Sequence, residues 1–158
     1  MLYNKVFLKS LIILSSILGL VLGLVTIVPF VCNFSFFALM VLSAPLLLIY
    51  IKKIGQLGTV EPKQGAIYGA IIGFVTFIGF SVSFMPLATI IGFLYKGSYY
   101  LGISLLFRSG VFVMIMMVLF VAILCSLMNA FSGLVTAYVY KQIEPVTEEQ
   151  FTSIDIQE

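Results

Sequence analysis

The sequence has no histidine, only two cysteines and few charged residues. Charged side chains make up 9% of the 158 residues, and the formal net charge is +2. Without histidine the chain lacks the commonest general base and metal ligand, and two cysteines supply neither a disulfide framework nor a metal-ligand cluster. A net charge this small, with no basic field, also excludes a nucleic-acid partner from our expectations. We therefore expect no enzyme, no catalytic residue, no cofactor and no metal site.

Apolar side chains dominate what the sequence does contain. Hydrophobic residues make up 62% of the chain, and the mean hydropathy is +1.23, values far from those of soluble domains. Four apolar stretches are each long enough to cross a bilayer. We predict an all-α polytopic membrane protein with four transmembrane helices. The membrane domain covers residues 1–141, with spans at about 6–28, 34–51, 65–85 and 110–140.

Prolines and small residues refine the limits of the first three spans. No small residue stands in Pro29-Phe30-Val31, just before Cys32, so no signal-peptide cleavage site fits and we expect the first helix to be retained. Pro45 predicts a kink in the second helix. Pro86 predicts a kink or an end in the third helix.

The segment 87–109 and the C-terminal residues are the least membrane-like parts of the chain. A lysine at the centre of a span is costly, so Lys96 argues against a fifth helix. Because tyrosines surround Lys96, we predict that 87–109 ends helix three, forms an interfacial turn and leads into helix four. Residues 142–158 are acidic, and we expect them to form a disordered cytoplasmic tail.

Lysine and arginine are unevenly divided between the two sides that four spans define. Six lie on one side and two on the other: Lys5, Lys9, Lys52, Lys53, Lys63 and Lys141 against Lys96 and Arg108. The positive-inside rule therefore predicts that both termini face the cytoplasm. We expect the membrane to be the bacterial inner (plasma) membrane.

Small residues recur on one face of the third span. Between Gly65 and Ser83 they form a stripe about 120° wide at about 100° per residue. The first and fourth spans carry similar faces. Small side chains let a neighbouring helix approach closely in a bilayer, so we predict a helix-packing role for these positions. The predicted packing residues are Gly19, Gly23, Gly65, Gly69, Gly73, Gly79, Ser126, Asn129 and Gly133.

Two further expectations follow from the stripes. Helices one, three and four should form the close-packed centre, with helix two, which has no continuous stripe, at the periphery. Asn129 is the most polar side chain deep in span four. We expect it to form an inter-helix hydrogen bond, with binding of a ligand or an ion as the alternative.

The chain also matches itself at an offset of fifty residues. Six of roughly sixteen positions agree between the segments 19–34 and 69–84, including both members of a Gly-x-x-x-Gly pair. Two explanations are open: tandem duplication of a helical hairpin, and coincidence within the small alphabet of apolar helices.

Two classes of function remain. The first is a structural or accessory subunit that packs through its small-residue faces against itself or another membrane protein. The second is a small transporter or channel for an uncharged or lipid-like solute. From Leu11 in the first span, and throughout the other three, the spans contain no Asp, Glu, Lys, Arg or His, which argues against proton coupling and intramembrane catalysis. Closure of the small-residue faces against one another would favour the first class, and a face open to an aqueous cavity would favour the second.

Overall fold

Four helices dominate residues 5–28, 30–55, 60–95 and 110–143, the part of the chain that the computed structural model describes. Helix α1 spans Lys5–Val25, α2 spans Cys32–Lys53, α3 spans Pro62–Tyr95 and α4 spans Val111–Ile143. These ranges contain no strand. Each helix is long and apolar enough to cross a membrane. The prediction of an all-α fold with four candidate membrane-spanning helices is confirmed.

Helix α3 packs along both α1 and α4, which makes it the central helix of the bundle. It runs parallel to α1. The rings of Phe7 and Tyr68 meet edge to face at 5.1 Å near one end of the pair. Toward the other end, the Ser83 hydroxyl lies 3.2 Å from the carbonyl oxygen of Leu20. Helix α4 runs antiparallel to α3, since Gly65 at the start of α3 lies against Gly133 near the end of α4.

Helix α2 is the most buried of the four helices, contrary to the expectation that it is peripheral. In its most apolar window 44% of the residues are buried, compared with 17% in α4. The expectation failed because it rested on small-residue stripes alone. Helix α2 has no continuous stripe, yet it buries both small side chains, such as Ser43 and Ala44, and bulky ones, such as Leu47.

A wide turn interrupts α2 just before Pro45. The backbone is α-helical over Cys32–Phe37, π-helical over Ala38–Leu42 and α-helical again over Ser43–Lys53. Proline lacks an N–H and its ring crowds the carbonyl four residues earlier, and a π turn is one way for a helix to absorb that conflict. The irregularity predicted at Pro45 is therefore displaced by about one turn toward the N-terminus.

Helix α3 does not end at Pro86. It continues to Tyr95, about ten residues beyond the predicted span, and the Thr89 hydroxyl donates to the Met85 carbonyl four residues earlier at 2.7 Å. The carbonyl that Pro86 frees is that of Val82, four residues before it, so the Thr89 bond is a separate contact. Membrane helices tolerate an internal proline where neighbouring groups can satisfy such a carbonyl. The remainder of the predicted interfacial segment, 96–109, lies outside the described residues, as does 144–158 of the predicted tail.

Candidate functional site

The first half of the α3 stripe lies against the backbone of α4. A Cβ added to Gly65 would come within 2.6 Å of the Gly133 carbonyl oxygen, and one added to Gly73 would come within 2.7 Å of the Cys125 carbonyl oxygen. A Cβ at Gly69 would overlap the carbonyl oxygen of Asn129. These separations are shorter than any ordinary contact of a side chain, so α3 and α4 meet backbone to backbone.

The second half of the same stripe lies against α1. A Cβ at Gly79 would come within 2.8 Å of the Ser16 carbonyl oxygen. In the opposite direction, a Cβ at Gly19 would overlap the Thr76 carbonyl oxygen and one at Gly23 would overlap the Ser83 hydroxyl. The stripe that the sequence places on one face of α3 is thus divided between two neighbouring helices.

The remaining polar member of the predicted set on α4, Ser126, also contacts α3. Its hydroxyl donates to the carbonyl oxygen of Ala70 at 2.9 Å. Because hydroxyl groups inside a bilayer have little water to bind, a backbone carbonyl on a neighbouring helix is a suitable partner. Together with Gly133, this contact places all nine predicted residues at α1–α3, α3–α4 or α2–α4 contacts.

The Asn129 side chain is fully buried and joins α4 to the π turn of α2. Its oxygen Oδ1 accepts from the Ser43 hydroxyl at 2.7 Å and from the Ala44 N–H at 3.0 Å. Its nitrogen Nδ2 lies 3.0 Å from the carbonyl oxygens of Leu39 and Met40. The inter-helix hydrogen bond predicted for Asn129 is therefore present, and its partners are mainly backbone groups of α2.

This arrangement inserts an amide into the hydrogen-bond ladder of α2. In a regular α-helix the Ala44 N–H would bind the Met40 carbonyl four residues earlier. Asn129 supplies an acceptor for the first group and a donor for the second. Its side chain thus substitutes for the backbone partner that the π turn moves away, next to a proline that has no N–H of its own.

Cys125 lies one helical turn before Asn129 and faces the same π turn. Its thiol is fully buried and donates to the Leu39 carbonyl oxygen at 3.3 Å. Cys32 is half-buried, and neither cysteine forms a disulfide. We call the set Leu39, Met40, Ser43, Ala44, Cys125 and Asn129 the amide junction.

No family model, curated protein or solved structure matches this chain. Any function must therefore be argued from the bundle itself. Its described residues contain no group of three His, Cys, Asp or Glu side chains that could hold a metal ion. The chemistry available in the amide junction is hydrogen bonding, and both polar atoms of Asn129 already have partners within the protein.

The described part of the bundle has two buried hydroxyl oxygens without a hydrogen-bond partner. They belong to Ser35 on α2 and Thr76 on α3. Thr76 lies on the α3 stripe beside Gly19 of α1. Since most buried hydroxyls can bind the carbonyl one turn earlier, as those of Ser15 and Ser81 do, these two are exceptions that the structure does not explain.

The glycine pairs matched by the fifty-residue offset do not make equivalent contacts. Gly69 and Gly73 face α4, the next helix of their own hairpin, whereas Gly19 and Gly23 face α3 of the other hairpin. The two hairpins do share one feature, since α1 is parallel to α3 and α2 is parallel to α4. Duplication and coincidence therefore both stay open as explanations of the match.

The partners of Asn129 are what the sequence did not reveal. Every residue has a backbone carbonyl, so the sequence does not show which carbonyls need a partner. Ser43 is an ordinary small residue in a span with few polar side chains. The available signal was Pro45, since a proline inside a span frees a carbonyl and makes a polar side chain on a neighbouring helix useful.

Proposed function

We propose that this protein is a four-span integral membrane protein that works as a structural or accessory subunit, by packing against another membrane chain or a second copy of itself, and that it is not an enzyme. One observation carries the proposal, by opposing the channel alternative: the glycine faces of α1, α3 and α4 are occupied by neighbouring groups of the same bundle, so a partner would contact other surfaces. A channel would need such faces to line an aqueous path. The amide junction points the same way, because the polar atoms of Asn129 are engaged with α2.

We further propose that both termini face the cytoplasm, in a bacterial inner membrane. The described lysines outside α1 lie at one end of the bundle. Lys52 lies 3.9 Å above the ring of Tyr140 at the ends of α2 and α4, and Lys141 lies beside Pro62 at the start of α3. Cations gathered at one end support an orientation with that end in the cytoplasm.

The outer surface of the bundle is apolar, as the membrane-facing surface of such a protein would be. Helix α4 is the least buried helix, and large apolar side chains such as Leu127 and Phe131 stand 63% and 70% exposed. Lipid covers such a surface as readily as protein does, so the surface is compatible with the proposal and does not identify the partner.

Photo-crosslinking in the native membrane, combined with purification, tests the proposal. A photoreactive residue at Phe131 on α4 samples one outer face, and one at Val82 on α3, which is 64% exposed, samples another. We expect one of these positions to crosslink to a single membrane protein, or to a second copy, that also co-purifies in mild detergent. A monomer that crosslinks only to lipid from both positions would contradict the proposal.

A further inference from the structure

An open depression lies between the start of α3 and the end of α4. Pro62, Tyr138, Lys141 and Gln142 line it, and its volume is about 520 Å³. That volume falls within the range of about 300–1,000 Å³ that small-molecule sites occupy. It lies where the apolar run of α4 gives way to Lys141 and Gln142. In a bilayer, this is the level at which lipid headgroups begin.

Lysines lie at this end of the bundle, and Lys141 lines the depression itself. Glu61 and, outside the described residues, the acidic residues 144–158 belong to the same side in the sequence, so the case for an anion rests on the local cation Lys141 and not on the net charge of this end. The depression also lies beside the N-terminus of the 34-residue helix α3. The first backbone N–H groups of a helix, with its dipole, favour negative charge.

The neutral groups of the depression add hydrogen-bond donors above an apolar floor. Gln142 Nε2 donates to the Tyr138 hydroxyl oxygen at 3.2 Å. Because that oxygen already accepts, the Tyr138 hydroxyl hydrogen is left to donate elsewhere. The rings of Tyr138 and Pro62 are apolar surfaces, which suit the glycerol and acyl carbons of a lipid better than they suit a hydrated inorganic anion.

We propose that this depression binds the phosphate headgroup of an anionic phospholipid, with Lys141 as the cation that contacts the phosphate. The inference rests on the proposed membrane-spanning state, and it adds a binding site and a ligand class to the proposed function. Anionic lipids attract lysines near the surface of the cytoplasmic leaflet, and the orientation proposed above places this end of the bundle there.

The test is thermal unfolding of the full chain in mild detergent, with far-ultraviolet circular dichroism as the readout. The unfolding midpoint is measured at increasing concentrations of soluble short-chain lipids. A ligand that binds only the folded state raises the midpoint as its concentration exceeds its dissociation constant. We expect dioctanoyl phosphatidylglycerol to raise the midpoint and dioctanoyl phosphatidylcholine to leave it unchanged. Inorganic phosphate at the same concentrations should also leave it unchanged. Equal effects of the two lipids, or an effect of phosphate as large as that of phosphatidylglycerol, would overturn the proposal.

Matched lysine variants locate the site. Lys141→Gln should weaken the apparent affinity for phosphatidylglycerol at least fivefold, because Lys141 lines the depression. Lys53→Gln removes the same charge from an exposed position at the end of α2 and should change the affinity by less than twofold. Equal losses in both variants would indicate a diffuse cationic surface and would overturn the site.

The outcomes also separate this inference from the proposed function. A monodisperse protein that unfolds cooperatively, crosslinks to its partner and shows no preference for phosphatidylglycerol overturns the lipid site alone. A monomer without a crosslinked partner that still prefers phosphatidylglycerol overturns the accessory role alone.

Discussion

Replacing Gly73 by leucine should destabilise the bundle far more than replacing its neighbour Ile72 by leucine. Gly73 lies where α3 contacts α4, and a Cβ there would stand 2.7 Å from the Asn129 Cβ and 2.7 Å from the Cys125 carbonyl oxygen. An ordinary contact requires at least 3.4 Å. Either α4 moves away from α3 or the amide of Asn129 is displaced from the π turn of α2.

The magnitude follows from three terms. Overpacking costs about 1–3 kcal/mol. Weakening two of the hydrogen bonds of Asn129 adds about 1 kcal/mol, because such bonds in membrane proteins contribute about 0.6 kcal/mol each. Leucine restores up to about 1 kcal/mol through its better helix propensity. The expected loss of unfolding free energy for Gly73→Leu is therefore about 1–3 kcal/mol.

The buried thiol of Cys125 provides the assay. In a Cys32→Ser background, a fluorogenic maleimide should react when unfolding exposes Cys125, which is fully buried in the fold. Ile67→Leu is the matched control, since Ile67 lies on the same helix and is 49% exposed. Ile72→Leu is a stricter control: Ile72 is fully buried, and a volume-conserving exchange there should cost less than about 1.5 kcal/mol. If Gly73→Leu unfolds at the same temperature as Ile67→Leu, the close contact between α3 and α4 does not stabilise the protein.

Three further outcomes are expected. Asn129→Ala should lower the unfolding free energy by about 1–3 kcal/mol, because it leaves buried backbone groups of α2 unpaired; unchanged thermal stability would show that water or a backbone shift satisfies them. In the folded wild-type protein, maleimide should label half-buried Cys32 well before buried Cys125, and the opposite order would contradict the placement of α4 against α2. In a background without native cysteines, a cysteine at Ser98 should be labelled from outside the cell and one at Gly58 should be protected. Both positions lie outside the described residues, and the reverse pattern would invert the proposed topology.

The number of helices, and the side of each helix that carries its small residues, could be predicted because both depend on local sequence. Long apolar runs set the four helices, and the spacing of Gly65, Gly69 and Gly73 determines which side of α3 is small. Which helix fills each half of the stripe could not be predicted, since that depends on how α1 and α4 cross α3. The stripe on α3 is continuous in sequence, yet α4 covers its first half and α1 its second.

Two expectations rested on the properties of a single helix. Helix α2 was expected at the periphery, which is wrong. A kink or an end was expected at Pro86 in α3, and the end is absent. Asn129 of α4 supplies partners to the π turn of α2, and α3 continues through its proline to Tyr95. A proline inside a span therefore predicts a local backbone conflict, and only the tertiary structure decides whether a turn, a kink or a polar side chain resolves it.

The amide junction also explains how a bundle of nearly featureless apolar helices adopts one register. Helices that meet through glycine and aliphatic surfaces lose little if one slides along the other by a turn, because lipid is as apolar as the side chains it replaces. Asn129 removes that freedom. Its amide oxygen and amide nitrogen bind an N–H and two carbonyls that lie together at the π turn of α2. A shift of one turn in α2 would leave these groups buried without partners, at about 1–3 kcal/mol each. A polar side chain used to fix register is one that a transported solute cannot use. The engagement of Asn129 within the protein is therefore part of the support for the proposed accessory role.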